Sequence, residues 1–174
     1  MDDRVASDQR VDPHRVRLAP FDPALAPLIA GWASGADELR AWASVEPADA
    51  GPGMFAGWHA DPDVHPHLLR DGERAVGYGE VWEDPEEDEA ELARIIIDPA
   101  RRGEGLGRVL VALLADRARQ LGYERIWVRV VPHNTAALAC YAGAGFEPVE
   151  LELQVSLNAG QPREYSWMRY RGAA

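Results

Sequence analysis

A segment rich in glycine and arginine has the residue types and spacing of an anion-binding loop. It runs from Arg101 to Arg108 and reads RRGEGLGR, after an apolar run at residues 95–97 and before an amphipathic stretch. Glycines let a backbone approach a ligand closely, and the free N–H groups at the start of a helix attract negative charge. Arginines add positive charge and hydrogen-bond donors. The segment therefore predicts a binding site for phosphate, and a pyrophosphate would suit it.

Two other kinds of phosphate loop do not match this segment. A P-loop ends in Gly-Lys-Ser or Gly-Lys-Thr, and the chain contains no such sequence. A dinucleotide-binding fingerprint that is counted from Gly103 and Gly105 requires a third glycine at the position of Arg108. A turn that only caps a helix is a simpler alternative. Three alternating glycines flanked by three arginines are more than such a turn requires.

A second set of polar residues lies downstream of the glycine loop. Asn134 is followed by Tyr141 and then by Gly145-Phe146. Asparagine is a favourable N-cap, so a helix is expected to begin there. Seven residues make two helical turns, so Asn134 and Tyr141 would share one face. The simpler alternatives are a helix cap for Asn134 and a core aromatic for Tyr141.

Hydrophobic periodicity and turn residues predict the elements that hold these side chains. Helices are predicted after the start signal Asp22-Pro23 and at 37–44, 105–121 and 134–144, and segment 46–66 is expected to be an irregular, packed loop. Strands are predicted at 16–19, 67–70, 74–82, 91–97, 125–131, 149–157 and 164–170. The order predicts an α/β fold with a mixed, mainly antiparallel central sheet of about six to seven strands, flanked by helices on both faces.

Both motifs resemble those of the GNAT (GCN5-related) N-acetyltransferase superfamily. The stretch Arg102 to Gly107 resembles the family's Arg/Gln-x-x-Gly-x-Gly/Ala motif, and Asp98-Pro99 resembles its usual strand exit. The stretch Asn134 to Phe146 resembles the pattern Asn-x-x-Ala-x-x-x-Tyr-x-x-x-Gly-Phe, in register. The resemblance covers residues 74–147 well, and the remaining parts match only in general layout. It implies a GNAT-like acyl-CoA N-acyltransferase fold.

The resemblance implies acetyl-CoA as the acyl donor and no metal. The family's loop holds the pyrophosphate through backbone N–H groups, and its splayed strand pairs with the pantetheine amides and the acetyl carbonyl. Asn134 would bond the pantetheine arm, and Tyr141 would give a proton to the leaving thiolate as a general acid. The residues so implied in acetyl-CoA binding are Ile95, Ile96, Ile97, Arg102, Gly103, Glu104, Gly105, Leu106, Gly107, Arg108, Asn134 and Tyr141.

A general base is also required, because a protonated amine cannot attack a thioester. Glu91 precedes Arg102 by eleven residues on the same predicted strand, which is the spacing of the base in histone-type members of the family. Without a bulge, strand alternation would place Glu91 on the face of Ala93, Ile95 and Ile97. Glu80 on the neighbouring strand is the second candidate, and Glu83 is a weaker third. A solvated carboxylate beside the acidic turn is the simpler alternative for Glu91.

Other candidate residues carry less weight. Members that acetylate ribosomal-protein N-termini have a glutamate five residues before the asparagine, where this chain has Arg129. This chain therefore lacks the glutamate base of those members, which argues against protein N-termini as acceptors. His133 is interpreted as structural and Cys140 as a packing residue. The remaining histidines of the middle region, His59, His65 and His67, show no metal-ligand pattern, so no metal site is predicted.

Length and composition favour one globular domain. The 174 residues are 47% hydrophobic and 27% charged, so we expect a tail at 1–14 and a single domain at 15–174. Neither a secretory signal nor an apolar run of membrane-spanning length is visible, and a single cysteine suits a reducing cytoplasm. The net charge of −11 argues against nucleic-acid binding. This negative charge, together with the aromatic side chains of Trp58 and Trp82, favours a small cationic amine as the acceptor.

The predicted function is acetyl transfer from acetyl-CoA to a primary amine, directly in a ternary complex. The acceptor is a small molecule or a protein, with no nucleic acid and no membrane as partner. A non-catalytic acetyl-CoA sensor is the alternative, because it would keep the glycine loop without turnover. A nucleotide-binding regulatory domain is a weaker alternative. Many members of the family form dimers, so the resemblance also suggests that this chain forms a homodimer.

Overall fold

Seven strands form one mixed sheet in the computed structural model, which describes residues 15–172. The predicted tail at 1–14 lies outside the described residues. The strands are β1 (Val16–Pro20), β2 (Val64–Asp71), β3 (Arg74–Asp84), β4 (Glu89–Ile97), β5 (Arg125–Val130), β6 (Phe146–Pro148) and β7 (Ser166–Tyr170). The helices are α1 (Ala26–Ala30), α2 (Ala36–Ala43), α3 (Gly53–Trp58), α4 (Leu106–Leu121), α5 (Thr135–Gly143) and α6 (Leu151–Asn158).

The strand order is β1-β2-β3-β4-β5-β7-β6. Neighbouring strands are antiparallel except β4 and β5, which are parallel. Two parallel strands need a crossover, and α4 supplies it between β4 and β5. The prediction of a mixed, mainly antiparallel sheet is confirmed.

Helices cover both faces of the sheet, as predicted. On one face the apolar stripe of α4, including Leu110 and Leu114, packs into the main core. A side chain at Gly79 of β3 would lie 2.7 Å from the Leu114 side chain, so glycine allows α4 this close approach. On the other face Ile29 of α1 and Phe55 of α3 pack in a second core. Segment 46–66, expected to be irregular and packed, thus contains α3 and the start of β2.

Strand β4 separates from β5 after the first third of its length. The two strands pair only from Glu89 to Glu91 on β4. Its register with β3 shifts between Tyr78 and Glu80, and Arg94 of β4 has a positive φ of 48°. This bulge interrupts alternation. Before the bulge, Ala90 and Leu92 face the α4 core and Glu91 faces away from it. After the bulge, Ile95 and Ile97 face the α4 core. The face shared by Glu91, Ile95 and Ile97 was expected only without a bulge, and it does not occur.

The predicted strand at 149–157 is wrong, because these residues form the helix α6. Alternating apolar and polar residues favoured a strand there, but in the structure Leu151 and Val155 of this segment are 78% and 66% exposed. The polar side chains bind the protein instead. Gln154 and Asn158, one helical turn apart, each donate a hydrogen bond to the backbone oxygen of Tyr165. The additional strand is β6, directly after α5.

No helix within residues 15–172 has both the length and the apolar character needed to cross a membrane.

Candidate active site

A cleft of about 890 Å³ opens where β4 and β5 separate. It extends from the glycine loop before α4, along β4, to a group of aromatic and arginine side chains. Most of the predicted site residues line it. These are Glu91, Ile95, Ile96, Ile97, Arg102, Gly103, residues 105–108, Asn134 and Tyr141. Glu80 and Glu104 do not line the cleft.

The glycine loop presents backbone N–H groups to the cleft. Gly103 and Gly105 have positive φ angles of 84° and 81°, which side chains strongly disfavour. α4 begins at Leu106, and the first N–H groups of a helix have no acceptor within it. Among residues 15–172 we find no backbone or side-chain acceptor for the N–H groups of residues 103–108. The loop is therefore a set of free donors at the positive end of a 16-residue helix.

Two of the three loop arginines are already bound to protein acceptors. Arg101 forms an ion pair with Glu104, with the nearest atoms 2.7 Å apart. Arg102 pairs with Glu38 of α2 at 2.8 Å. Arg108 has no carboxylate within 4.0 Å among the described side chains. It is thus the loop arginine whose charge is not already neutralised.

Helix α5 brings Asn134 and Tyr141 to the wall of the cleft. Asn134 caps the helix, since its side-chain oxygen accepts a hydrogen bond of 3.1 Å from the N–H of Ala137. This is the simpler role foreseen for it, and it leaves the side-chain amide free to donate. Tyr141 packs against Phe146, with ring centroids 6.3 Å apart. Burial raises the pKa of Tyr141 above its ordinary value, so the hydroxyl keeps its proton at neutral pH.

Glu91 lies on β4 at the last point of contact with β5. Its carboxylate is 2.9 Å from Nε of Arg129 on β5, and its side chain is 18% exposed. Burial raises the pKa of Glu91 to about 7, although the charge of Arg129 opposes that shift. A carboxylate with this pKa exchanges a proton readily near neutral pH.

Glu80 lies inside the protein and holds neighbouring side chains together. Its side chain is fully buried, and it accepts hydrogen bonds from the Tyr78 hydroxyl, from Trp82 Nε1 at 2.6 Å and from Arg94 Nη1 at 2.7 Å. Burial alone would raise the pKa of Glu80. The polar contact with His59, whose Nε2 lies 3.6 Å from the carboxylate, and the charge of Arg94 outweigh burial and hold the pKa of Glu80 below its ordinary value. Its oxygens are thus already occupied.

The far end of the cleft is formed around Arg94 and Arg129, two residues that the sequence analysis did not assign to the site. Arg94 lies over the rings of Trp58 and Trp82, 4.0 and 4.7 Å from their centroids. Trp42 of α2 donates a hydrogen bond of 2.7 Å to the backbone oxygen of Arg94. Arg129 lies 5.3 Å from the ring centroid of Tyr165. These residues come from six separate segments of the chain, so no spacing in the sequence could have grouped them.

No three His, Cys, Asp or Glu side chains within residues 15–172 come together in a way that could hold a metal ion.

Comparison with known proteins places the chain in a family. Mycothiol acetyltransferase from Jonesia denitrificans is 32% identical over 103 residues, which cover 58% of this chain and 32% of that protein. Streptothricin acetyltransferase from Streptomyces lavendulae is 31% identical over 137 residues, covering 78% of this chain and 64% of that protein. The chain thus spans less than two thirds of the length of these curated relatives.

The solved structures agree on the fold. Spermidine N-acetyltransferase from Vibrio cholerae, in complex with CoA and spermine, superimposes with a TM-score of 0.69 at 19% identity. The match covers 90% of this chain and 94% of that chain. The model of the acetyltransferase (GNAT) family matches residues 32–146, which is well over half of the 174 residues. The chain therefore belongs to the GNAT acetyltransferase family.

Proposed function

We propose that the protein transfers an acetyl group from acetyl-CoA to a primary amine, directly and in a ternary complex. One observation carries this proposal. A single cleft joins a loop of free N–H groups to the unpaired edge of β4, and Glu91 and Tyr141 both line it. A donor with a pyrophosphate and a long amide-bearing arm matches the first two parts. A carboxylate and a phenol then supply the proton transfers that amine acylation needs.

The residues of the cleft fit acetyl-CoA. The free N–H groups of residues 103–108 and the uncompensated charge of Arg108 suit a pyrophosphate. The backbone of Ile95, Ile96 and Ile97 would hold the pantetheine arm, because β4 has no partner strand on its β5 side beyond Glu91. Asn134 would contribute its side-chain amide. When bound, acetyl-CoA supplies the acetyl group as a thioester.

Glu91 is the base that the geometry favours. It faces the cleft and has a pKa of about 7, so near neutral pH it takes a proton from the acceptor's ammonium group, and the resulting free amine can attack the thioester. Glu80 is fully buried, outside the cleft lining, with a lowered pKa. We therefore propose that Glu80 supports the site structurally and that Glu91 accepts the proton, directly or through water.

Tyr141 is the proposed acid. Its raised pKa keeps the proton on the hydroxyl until a stronger base forms beside it. The carbon–nitrogen bond forms as the carbon–sulfur bond breaks, and Tyr141 gives its proton to the sulfur. The nitrogen gives up two protons in all. Glu91 takes the first from the ammonium group and passes it to solvent, and the second, lost once the carbon–nitrogen bond has formed, restores the proton of Tyr141 through water. The reaction thus forms CoA as a free thiol and releases one proton.

We make three broader proposals, on the domain, the location and the oligomeric state. Residues 15–174 form a single domain, which the one continuous sheet of the described part supports. A cytoplasmic location is favoured by the single cysteine, Cys140. A homodimer rests on the family resemblance alone.

A thiol-release assay tests the proposed function. The protein is mixed with acetyl-CoA and a panel of amines, and binding of acetyl-CoA is measured by calorimetry on the same sample. Thiol release that depends on the amine is the expected result. Binding of acetyl-CoA without release from any amine would favour the sensor instead. An absence of binding would overturn the assignment of the glycine loop.

A further inference from the structure

The charges at the far end of the cleft bear on the nature of the acceptor. Three charged side chains line that end, namely Glu91, Arg94 and Arg129. Glu80, which neutralises Arg94, is buried behind the wall. Arg94 is therefore compensated by Glu80, and the pair of Arg129 and Glu91 carries no net charge when Glu91 is ionised. A polycationic amine finds no net negative charge at this end to bind it, although the whole chain has a net charge of −11.

Arg129 retains hydrogen-bond donors for a ligand. Its Nε is 2.9 Å from Glu91, and its Nη1 donates a hydrogen bond of 2.9 Å to the side-chain oxygen of Gln161. Its Nη2 has no acceptor in the described part of the chain, and the side chain is 25% exposed. The guanidinium is fixed in place by Trp82 and Tyr165, whose ring centroids are 5.8 and 5.3 Å from it. A fixed guanidinium with a free edge is a favourable partner for a carboxylate.

The proposed base and this cation are direct neighbours. The acceptor's amine must reach Glu91, and its anionic group would bind Arg129 within the same few ångströms. The amine and the anion must therefore be separated by very few bonds within the acceptor. An α-amino acid meets this condition, because a single carbon joins its amine to its carboxylate.

On the basis of the proposed function, we propose that the acceptor is a free amino acid whose carboxylate binds Arg129. Binding this zwitterion adds no net charge to a site whose two arginines are already paired with Glu80 and Glu91. The carboxylate takes the free Nη2 edge, and the amine is placed beside Glu91. The aromatic side chains Trp42, Trp82 and Tyr165 line the same end and would contact the side chain of the acceptor.

Matched substrates test this proposal through the thiol-release assay. Each proteinogenic L-amino acid is compared with its carboxamide and with its decarboxylated amine, and spermidine represents the polycations. The carboxamide is less basic than the amino acid and the decarboxylated amine is more basic. A preference over both therefore cannot arise from basicity. We expect kcat/KM for the preferred amino acid to exceed that of both analogues by about tenfold to a hundredfold, which is typical for a charge-assisted hydrogen bond.

Two variants assign the preference to Arg129. Arg129→Gln removes the charge and is expected to bring the acid-to-amide ratio of kcat/KM close to one. Arg129→Lys keeps the charge without the planar fork and should retain part of the preference. The ratio is the readout, because both variants also disturb Glu91 and lower activity towards every substrate. Calorimetric binding of acetyl-CoA reports that each variant is folded.

The outcomes separate this inference from the proposed function. Amides, decarboxylated amines or spermidine that react as well as the amino acids would overturn the inference and leave the acetyltransferase intact. A preference that persists in Arg129→Gln would overturn the role of Arg129. Acetyl-CoA binding without thiol release from any substrate would overturn the proposed function, and the inference with it.

Discussion

The environment of Glu91 sets the pH at which the residue can act. Burial disfavours its negative charge, and the pKa settles at about 7 because Arg129 offsets only part of that cost. Below this pKa the carboxylate is protonated and cannot accept a proton from an amine. The same neighbour that tunes the base is the proposed anchor of the acceptor, so one ion pair would serve both functions.

We therefore expect turnover at saturating acceptor to fall as the pH drops through about 7. Glu91→Gln removes this acidic limb and lowers turnover by about 10²- to 10⁴-fold, the usual contribution of a general base. A pH–rate profile of both proteins is the measurement. Glu89→Gln is the control, because Glu89 lies two residues away on β4, outside the cleft lining, and should keep the limb. An unchanged profile in Glu91→Gln would exclude Glu91 as the base.

Tyr141 and Tyr170 form a matched pair for testing the acid. Both rings pack against Phe146, at 6.3 and 5.2 Å between centroids, but only Tyr141 lines the cleft among these two. Tyr141→Phe should lower kcat by about a hundredfold or more and leave the calorimetric Kd for acetyl-CoA nearly unchanged. Tyr170→Phe should alter neither quantity. Equal kcat values for the two variants would mean that Tyr141 is a packing residue.

At the residue scale, sequence analysis could find Tyr141, Asn134 and the glycine loop because each belongs to a short motif. It could name Glu91 and Glu80 as candidates but not rank them by environment. The ranking depends on burial and on two arginines of neighbouring strands. Arg129 of β5 contacts Glu91, and Arg94 of β4 contacts Glu80. Such pairings depend on sheet register and on a bulge.

At the scale of elements, the start of α4 determines how the donor would be held. Gly105 precedes the helix with a φ of 81°, and Gly122 ends the same helix with a φ of 110°. Both positions are strained for any other residue, but only Gly105 lines the cleft. Substitutions at the two ends of α4 can therefore distinguish an effect on stability from an effect on acetyl-CoA binding.

Gly105→Ala and Gly122→Ala should each lower the free energy of unfolding by about 1–2 kcal/mol, because alanine disfavours a left-handed backbone. Gly105→Ala should also weaken acetyl-CoA binding by about tenfold or more, since relief of the strain reorients the loop N–H groups. Thermal unfolding and calorimetry measure the two effects. If Gly122→Ala weakened binding as much as Gly105→Ala did, the loop would not be the specific binding element.

Glu80 joins β3 to β4 through its hydrogen bond with Arg94, and it also accepts hydrogen bonds from Tyr78 and Trp82 of β3. Removing the charge leaves Arg94 without its buried partner, so Glu80→Gln should destabilise the protein by about 3 kcal/mol near neutral pH. The pKa of Glu80 is lowered in the folded state. Its stabilising contribution is thus present above the ordinary pKa of a glutamate and is lost as the pH falls through the lower folded value.

Unfolding of wild type and Glu80→Gln, measured by denaturant at several pH values, checks this expectation. The difference in stability should shrink at acidic pH. Glu73→Gln, at a side chain that is 94% exposed, is the control and should have little effect. A stable Glu80→Gln protein that has lost the activity limb near pH 7 would instead identify Glu80 as the base.

Element prediction succeeded where periodicity and packing agreed, as in α4, and failed where they conflicted. The alternation from Val149 to Leu157 favoured a strand, yet the chain exposes Leu151 and Val155. Hydrogen bonds from Gln154 and Asn158 to the segment before β7 hold the helix in place. These long-range bonds have no counterpart in local sequence pattern.

At the scale of the whole molecule, net charge is a poor guide to the charge of the site. The chain carries −11 overall, but five arginines and two glutamates line the cleft. The acidic excess lies elsewhere, including the exposed turn between β3 and β4. The expectation of a cationic amine from the sequence rested on the total charge and on the aromatic residues Trp58 and Trp82. The local charges favour a donor with phosphates and a zwitterionic acceptor instead.

The most direct test of the central claim follows the acetyl group itself. The protein is incubated with acetyl-CoA that is isotopically labelled in the acetyl group and with a mixture of amines, and the products are identified by mass spectrometry. The account predicts labelled acetyl on the nitrogen of an amine, formed together with free CoA, and strongly reduced in Tyr141→Phe. Labelled acetate as the only product, or unchanged acetyl-CoA with every amine, would contradict it.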